Sequence, residues 1–183
     1  MSVTTRPITA DEFLQWPDDG FRHELIRGEV ITMSLPGGRH GQIAGEIYWL
    51  ITNRVKAAKL GRTYAAETGF LIERGPDTVR GADMAFVRSE RLSLIKDPDK
   101  HVPFAPDLAV EVISPNDESD EVEEKVQAWR TAGTRAVWTV DPKARTVTIH
   151  RPGAEPITLT EHQKIEGGEV LPGFECRVGD FFV

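Results

Sequence analysis

A glutamate, Glu111, stands inside the run LAVEVI at residues 108–113, with aliphatic residues on both sides of it in a segment that reads as a buried strand. An ionised carboxylate in that setting costs several kcal/mol unless it meets a cation, a hydrogen-bond donor or a water-filled cleft. Asp83 poses the same problem at the start of the apolar run ADMAFV. Two acids on neighbouring central strands repel each other, and a divalent ion with oxygen ligands relieves that repulsion. Lys125 completes the set. On the helix after Glu111 the apolar stripe is Val122, Val126 and Trp129. At helical pitch Lys125 falls only about 60° from Val122, at the edge of the buried face. From that edge an ammonium group can stabilise a developing phosphorane-like charge or hold an attacking water.

The same residues admit a structural reading. A buried acid beside a lysine is also an internal salt bridge. An isolated aspartate is ordinary at a strand edge, and a lysine on a helix flank is ordinarily solvated. The triple is distinctive because all three residues depart from pattern toward one part of the sheet. On the residues alone both readings stand.

Other chemistries find no support. His23-Glu24 begins like a HExxH zinc motif, but the fifth residue is Arg27. No P-loop or GxGxxG is present, and Ser114 in ISP is not a nucleophile elbow. Cys176 is the lone cysteine, so neither an internal disulfide nor a cysteine metal cluster can form. Asp141 is explained by the Asp-Pro turn it begins.

The elements that must position the triple are legible in outline. Thr9 followed by Glu12 is a capping-box pattern that opens a short helix with Phe13, Leu14 and Trp16, ended by Pro17. FRHELI and EVITM flank Arg27-Gly28, the pattern of a β-hairpin with a two-residue turn. Ile43, Ile47, Leu50, Ile51 and Val55 recur at helical spacing, with Gly61 expected to close that helix. Strands are expected over residues 68–72, 82–87 and 108–113, a helix over 119–132, and then the strands AVWTVD and TVTIH. That order predicts an α/β protein with a mixed central sheet flanked by helices and preceded by an N-terminal hairpin.

With 183 residues, 39% hydrophobic and 28% charged, the chain has the size and composition of one domain, taken here as 1–183. MSVTTRPITADEF has no apolar signal core and no run is long enough for a membrane span, so a cytoplasmic protein without membrane association is expected. The net charge of −7 argues against a protein that coats nucleic acid non-specifically, because such affinity is built from many Lys and Arg contacts. It leaves room for a local cationic face, for which Arg39, Arg54, Lys56 and Arg62 are the expected contributors.

The ordered set HELIRGEVITMS, GGRHGQI, GADMAFV, PDLAVEVISP, EKVQAW, AVWTVDP and LPGFECRVGDFF resembles the Uma-type restriction endonuclease family, a branch of the PD-(D/E)XK nuclease superfamily. The resemblance spans nearly the whole chain and implies a restriction-endonuclease-like core that hydrolyses phosphodiester bonds in DNA. It implies that Asp83 and Glu111, helped by the backbone carbonyl of Val112, ligate Mg²⁺, with Mn²⁺ able to substitute. Ile113 stands where the superfamily usually has its lysine, and the resemblance points to Lys125 on the next helix in its place. Glu24 matches an acid that steadies a second metal or a water, and His40 matches a histidine placed to contact phosphate at a helix N-terminus. Read as residues, Glu24 also pairs with Arg22 or Arg27, and His40 also serves as a capping or core histidine. Ala82 replaces the proline of the family motif, which removes a geometric constraint and no ligand.

Cutting both strands of a duplex needs two such sites, so a homodimer is expected. The alternative is a catalytically silent nucleic-acid or protein-binding module on the same fold, with a hydrolase of RNA or small phosphate esters as a third reading.

Overall fold

The computed structural model describes residues 6–115 and 117–182. Residues 1–5, which begin the stretch read as lacking a signal core, lie outside the described residues. Thr9 caps helix α1 (Ala10–Phe13) with the reciprocal Glu12 contact expected of it. The helix is one turn long and stops before Leu14 and Trp16, both of which were expected inside it.

The hairpin follows as β1 (Arg22–Ile26) and β2 (Glu29–Met33), with Ile26 opposite Glu29. Arg27 and Gly28 both take positive φ, 49° and 78°, the geometry of the two-residue turn that matches strand twist. Gly28 is needed for a second reason: a Cβ there would stand 2.3 Å from Pro7 Cβ.

Helix α2 (Gly38–Ala57) then crosses to the main sheet. Gly61 does not close it; the left-handed residue is Lys59, at φ 53°, and Gly61 opens strand β3 (Gly61–Ala65). A Cβ on Gly61 would meet the Val87 carbonyl oxygen of the paired strand at 2.0 Å, so this glycine serves close strand approach.

The chain continues through β4 (Phe70–Glu73), β5 (Thr78–Arg80), β6 (Met84–Arg88), β7 (Leu108–Val112), α3 (Ser119–Thr131), β8 (Ala136–Asp141), β9 (Thr146–His150), β10 (Ile157–Thr160), β11 (Lys164–Glu166) and β12 (Glu175–Arg177). Among the described residues, these form a six-stranded sheet ordered β10-β9-β8-β7-β6-β3, a four-stranded sheet ordered β2-β1-β5-β4, and the pair β11-β12. The main sheet is mixed: β7 and β8 run parallel, joined through α3, and its other neighbours are antiparallel. This is the expected α/β architecture, with the hairpin incorporated into a second sheet.

Period-two alternation sends successive residues of β6 and β7 to opposite faces. Met84, Phe86, Leu108, Val110 and Val112 pack with Ile43, Ile47, Ile51 and Val55 of α2. On the other face Ala85, Val87 and Ala109 receive Val126 and Trp129 of α3. Small residues on the α3 face leave space for a full tryptophan, and that is the face on which Glu111 opens. Truncating a core anchor such as Ile47 or Trp129 would cost about 2–5 kcal/mol.

Candidate active site

β6 and β7 pair with Met84 opposite Val110 and Phe86 opposite Leu108. One step further along this register sets Asp83 across from Glu111, and residues so opposed share a face about 5 Å apart. Both side chains are buried, at 8% exposure each. The tertiary structure has therefore brought two carboxylates out of water side by side.

Each acid is held by specific donors. Asp83 Oδ2 accepts the Val112 backbone N–H at 2.8 Å and lies 3.1 Å from His40 Nε2. Glu111 Oε1 accepts the indole N–H of Trp129 at 2.8 Å. His40 reaches this end of the sheet from the first turn of α2. The Asp83 hydrogen bond raises its pKa above the usual imidazole range, against the opposing effect of burial; the Asp83 charge, the Val112 backbone and the Asp117 charge add to the rise. Burial pushes the Glu111 carboxyl up to about 8; the charges of Asp83 and Glu24 push the same way, and those of Lys125 and the Trp129 donor oppose them.

Lys125 is half-buried on α3 and feels Glu111 electrostatically, while no hydrogen bond or ion pair joins the two among the described residues. That arrangement differs from the internal salt bridge the sequence allowed. The stripe beside it is narrower than expected: Val126 and Trp129 are buried and Val122 only half-buried.

Glu24 arrives from the other sheet. Leu25 pairs with Val79, so Glu24 on β1 and Arg80 on β5 are neighbours across that pairing. Glu24 Oε1 accepts the Gly81 N–H at 3.1 Å and Oε2 lies 3.5 Å from Arg80 Nη1. Its cationic partner is thus Arg80, and neither Arg22 nor Arg27. The Gly81 link joins β1 to the segment leading into Asp83.

Arg80 and Trp129 are the residues that sequence reasoning missed. A signal existed for Trp129, because a buried indole N–H needs an acceptor and a buried carboxylate needs a donor. For Arg80 the signal appears only after β1 and β5, far apart in the chain, are paired. Arg54 was expected to border the site, but it hooks onto the Pro172 carbonyl from the far end of α2. At helical rise that is about 20 Å from His40. Lys56 lies further along the same helix. Arg39, next to His40, instead donates to the Pro142 carbonyl at 2.5 Å.

The oxygens of Asp83 and Glu111, with the Val112 carbonyl, are hard donors of the kind Mg²⁺ and Mn²⁺ prefer, and the mutual repulsion of the two acids is what such an ion relieves. The donor set fits a divalent cation. Among the described residues no three His, Cys, Asp or Glu side chains are gathered closely enough to hold a metal by themselves.

A mixed sheet flanked by helices, with paired acids at the β6–β7 junction, is a restriction-endonuclease-like fold. The chain belongs to the Uma2 family, described as "putative restriction endonuclease", which it matches over residues 10–179. Among solved structures it is similar to a "putative nuclease" from Anabaena variabilis, with a TM-score of 0.80 and 24% identity over 96% of this chain and 98% of that one. No curated protein matches the chain. No helix among the described residues is long and apolar enough to cross a membrane.

Proposed function

We propose that this chain, acting as one domain over residues 1–183, is a Mg²⁺-dependent endodeoxyribonuclease, with Mn²⁺ able to replace Mg²⁺. The observation that carries the reading is the side-by-side burial of Asp83 and Glu111, with the Lys125 charge within electrostatic reach of Glu111. Nothing in folding requires two acids to be desolvated together, and the arrangement is costly unless a cation joins them.

Asp83, Glu111 and the Val112 carbonyl would hold the ion. When bound, it would lower the pKa of water and neutralise charge on the phosphate. His40 keeps Asp83 oriented through the Oδ2 contact, as the Val112 N–H does from the strand. Trp129 fixes one Glu111 oxygen and so aims the other. Lys125 would face the charge that develops as water adds to phosphorus, the bond to the leaving oxygen breaks and that oxygen takes up a proton. Glu24, tied to Gly81, braces the approach to Asp83. Two copies acting together would cut both strands.

Incubation of supercoiled plasmid with the pure protein and Mg²⁺ or Mn²⁺ tests the reading. Nicking or linearisation that vanishes in chelator and in Asp83→Asn and Glu111→Gln is the expected result. The net charge of −7 weighs against DNA as a ligand, so the alternative it favours is a silent protein-binding module. Folded protein that neither cleaves nor retains DNA, with or without metal, would support that alternative.

A further inference from the structure

We propose that Arg80 is the resident cation on the Glu24 side of this centre, so that the site takes one divalent ion and not two. The inference rests on the metal-dependent reading above and deepens it by fixing the stoichiometry of the site.

Glu24 is 4% exposed and Arg80 7% exposed, so the pair is withdrawn from water. Both oxygens of Glu24 are already engaged, one by the Gly81 N–H at 3.1 Å and the other by Arg80 Nη1 at 3.5 Å. Arg80 Nη2 reaches on to Glu124 Oε1 of α3 at 3.3 Å, which ties the guanidinium down from a second direction. A guanidinium stays charged at any pH a folded protein meets. Its buried Nε has no hydrogen-bond partner among the described residues. An unsatisfied buried donor is costly, so the positive charge opposite Glu24 is what keeps the group in place.

Asp83 and Glu111 are in the opposite state. Asp83 receives both of its donors on Oδ2, and Glu111 receives Trp129 on Oε1. Among the described residues Asp83 Oδ1 and Glu111 Oε2 carry no hydrogen bond. When both are ionised, as metal ligation requires, the two acids bear two negative charges, which one divalent ion neutralises. The Glu24 charge is cancelled by Arg80.

A second ion would sit about 3.5–4 Å from the first and need a carboxylate oxygen at ~2 Å. Of the acids whose charges act on Glu111, the one left after Asp83 is Glu24, so that ion would have to displace a buried guanidinium and leave it only the exposed Glu124 as counter-charge. Arg80 therefore occupies, electrostatically, the second-metal position.

The test counts Mn²⁺ bound per intact chain, by electron paramagnetic resonance of free Mn²⁺ and by calorimetry, without substrate. The wild-type protein should bind one. Arg80→Gln releases the Glu24 carboxylate and should bind two, with a native circular dichroism spectrum. Changing Glu24→Gln and Arg80→Gln together removes both charges at once and should return the count to one. A wild-type count of two overturns the role of Arg80 and leaves the metal-dependent reading intact, whereas a count of zero overturns both. A count of one for folded Arg80→Gln also overturns the proposal. Should Arg80→Gln fail to fold, the wild-type and paired-variant counts decide: one in each supports the proposal, and two in either refutes it.

Discussion

The indole nitrogen of Trp129 donates to the carboxylate of Glu111 at 2.8 Å, linking a core residue of α3 to the acid on β7 that is 18 positions earlier. One side chain thus closes the core under the sheet and orients the acid at its end. Trp129→Phe keeps most of the apolar volume and removes the donor. It should destabilise the protein by about 2–4 kcal/mol, from the lost hydrogen bond and the space left behind. The donor also holds the Glu111 pKa down, so its loss should move the acid limb of Mn²⁺ binding to higher pH. Thermal melts and calorimetric titration across pH check the two effects separately.

A pH dependence of stability follows from the same acid. Glu111 has its carboxyl pushed from 4.5 up to about 8 by burial, with the Asp83 and Glu24 charges adding. Between those values the native state binds more protons than the unfolded chain, so metal-free stability should fall as pH rises through that window and level off above it. His40 acts in the same direction: its raised pKa contributes stability below the unfolded value of 6.5 that is lost as pH climbs past the folded one. Saturating Mn²⁺ should flatten or reverse the slope, because ligation needs the deprotonated acid. Melting temperature against pH, with and without Mn²⁺ and in Glu111→Gln, is the measurement; an unchanged slope in Glu111→Gln would rule out this source.

Lys125 forms no ion pair with Glu111 among the described residues, so Lys125→Ala should cost about 1 kcal/mol of stability or less. If its ammonium faces the reacting phosphate, the same change should lower turnover by ~10² or more with Mn²⁺ affinity little altered. Melting and cleavage measured on one preparation separate the roles. A protein that melts early yet cleaves normally would make Lys125 a structural partner after all.

Gly28 joins φ 78° to a Cβ position only 2.3 Å from Pro7 Cβ. Gly28→Ala should therefore cost more than the ~1–2 kcal/mol of left-handed strain alone. The damage should spread to β1 and loosen Glu24, visible as faster amide exchange at Gly81, whose N–H that carboxylate accepts.

The alternation of the sequence determined most of the local structure. LAVEVI and ADMAFV, apolar apart from one acid each, read as buried strands with expensive acids, although β6 begins only at Met84 and leaves Asp83 in the bend before it. The turn at Arg27-Gly28, the helix bearing Lys125 and the α/β class follow from the same short-range rules, since periodicity and turn chemistry act over a few residues. Tertiary structure decided what those rules cannot reach. Only the register of β6 on β7 makes Asp83 and Glu111 neighbours, only the packing of α3 brings an indole N–H to Glu111, and only the pairing of β1 with β5 gives Glu24 an arginine. Short-range patterns predicted Gly61 as a helix stop, whereas strand pairing uses it for close approach to β6. Arg80 and Trp129 look unremarkable in the sequence because a charge or a donor gains its meaning from the partner that shares its desolvated space. That partner is fixed by long-range strand pairing and helix docking, to which local propensity contributes almost nothing.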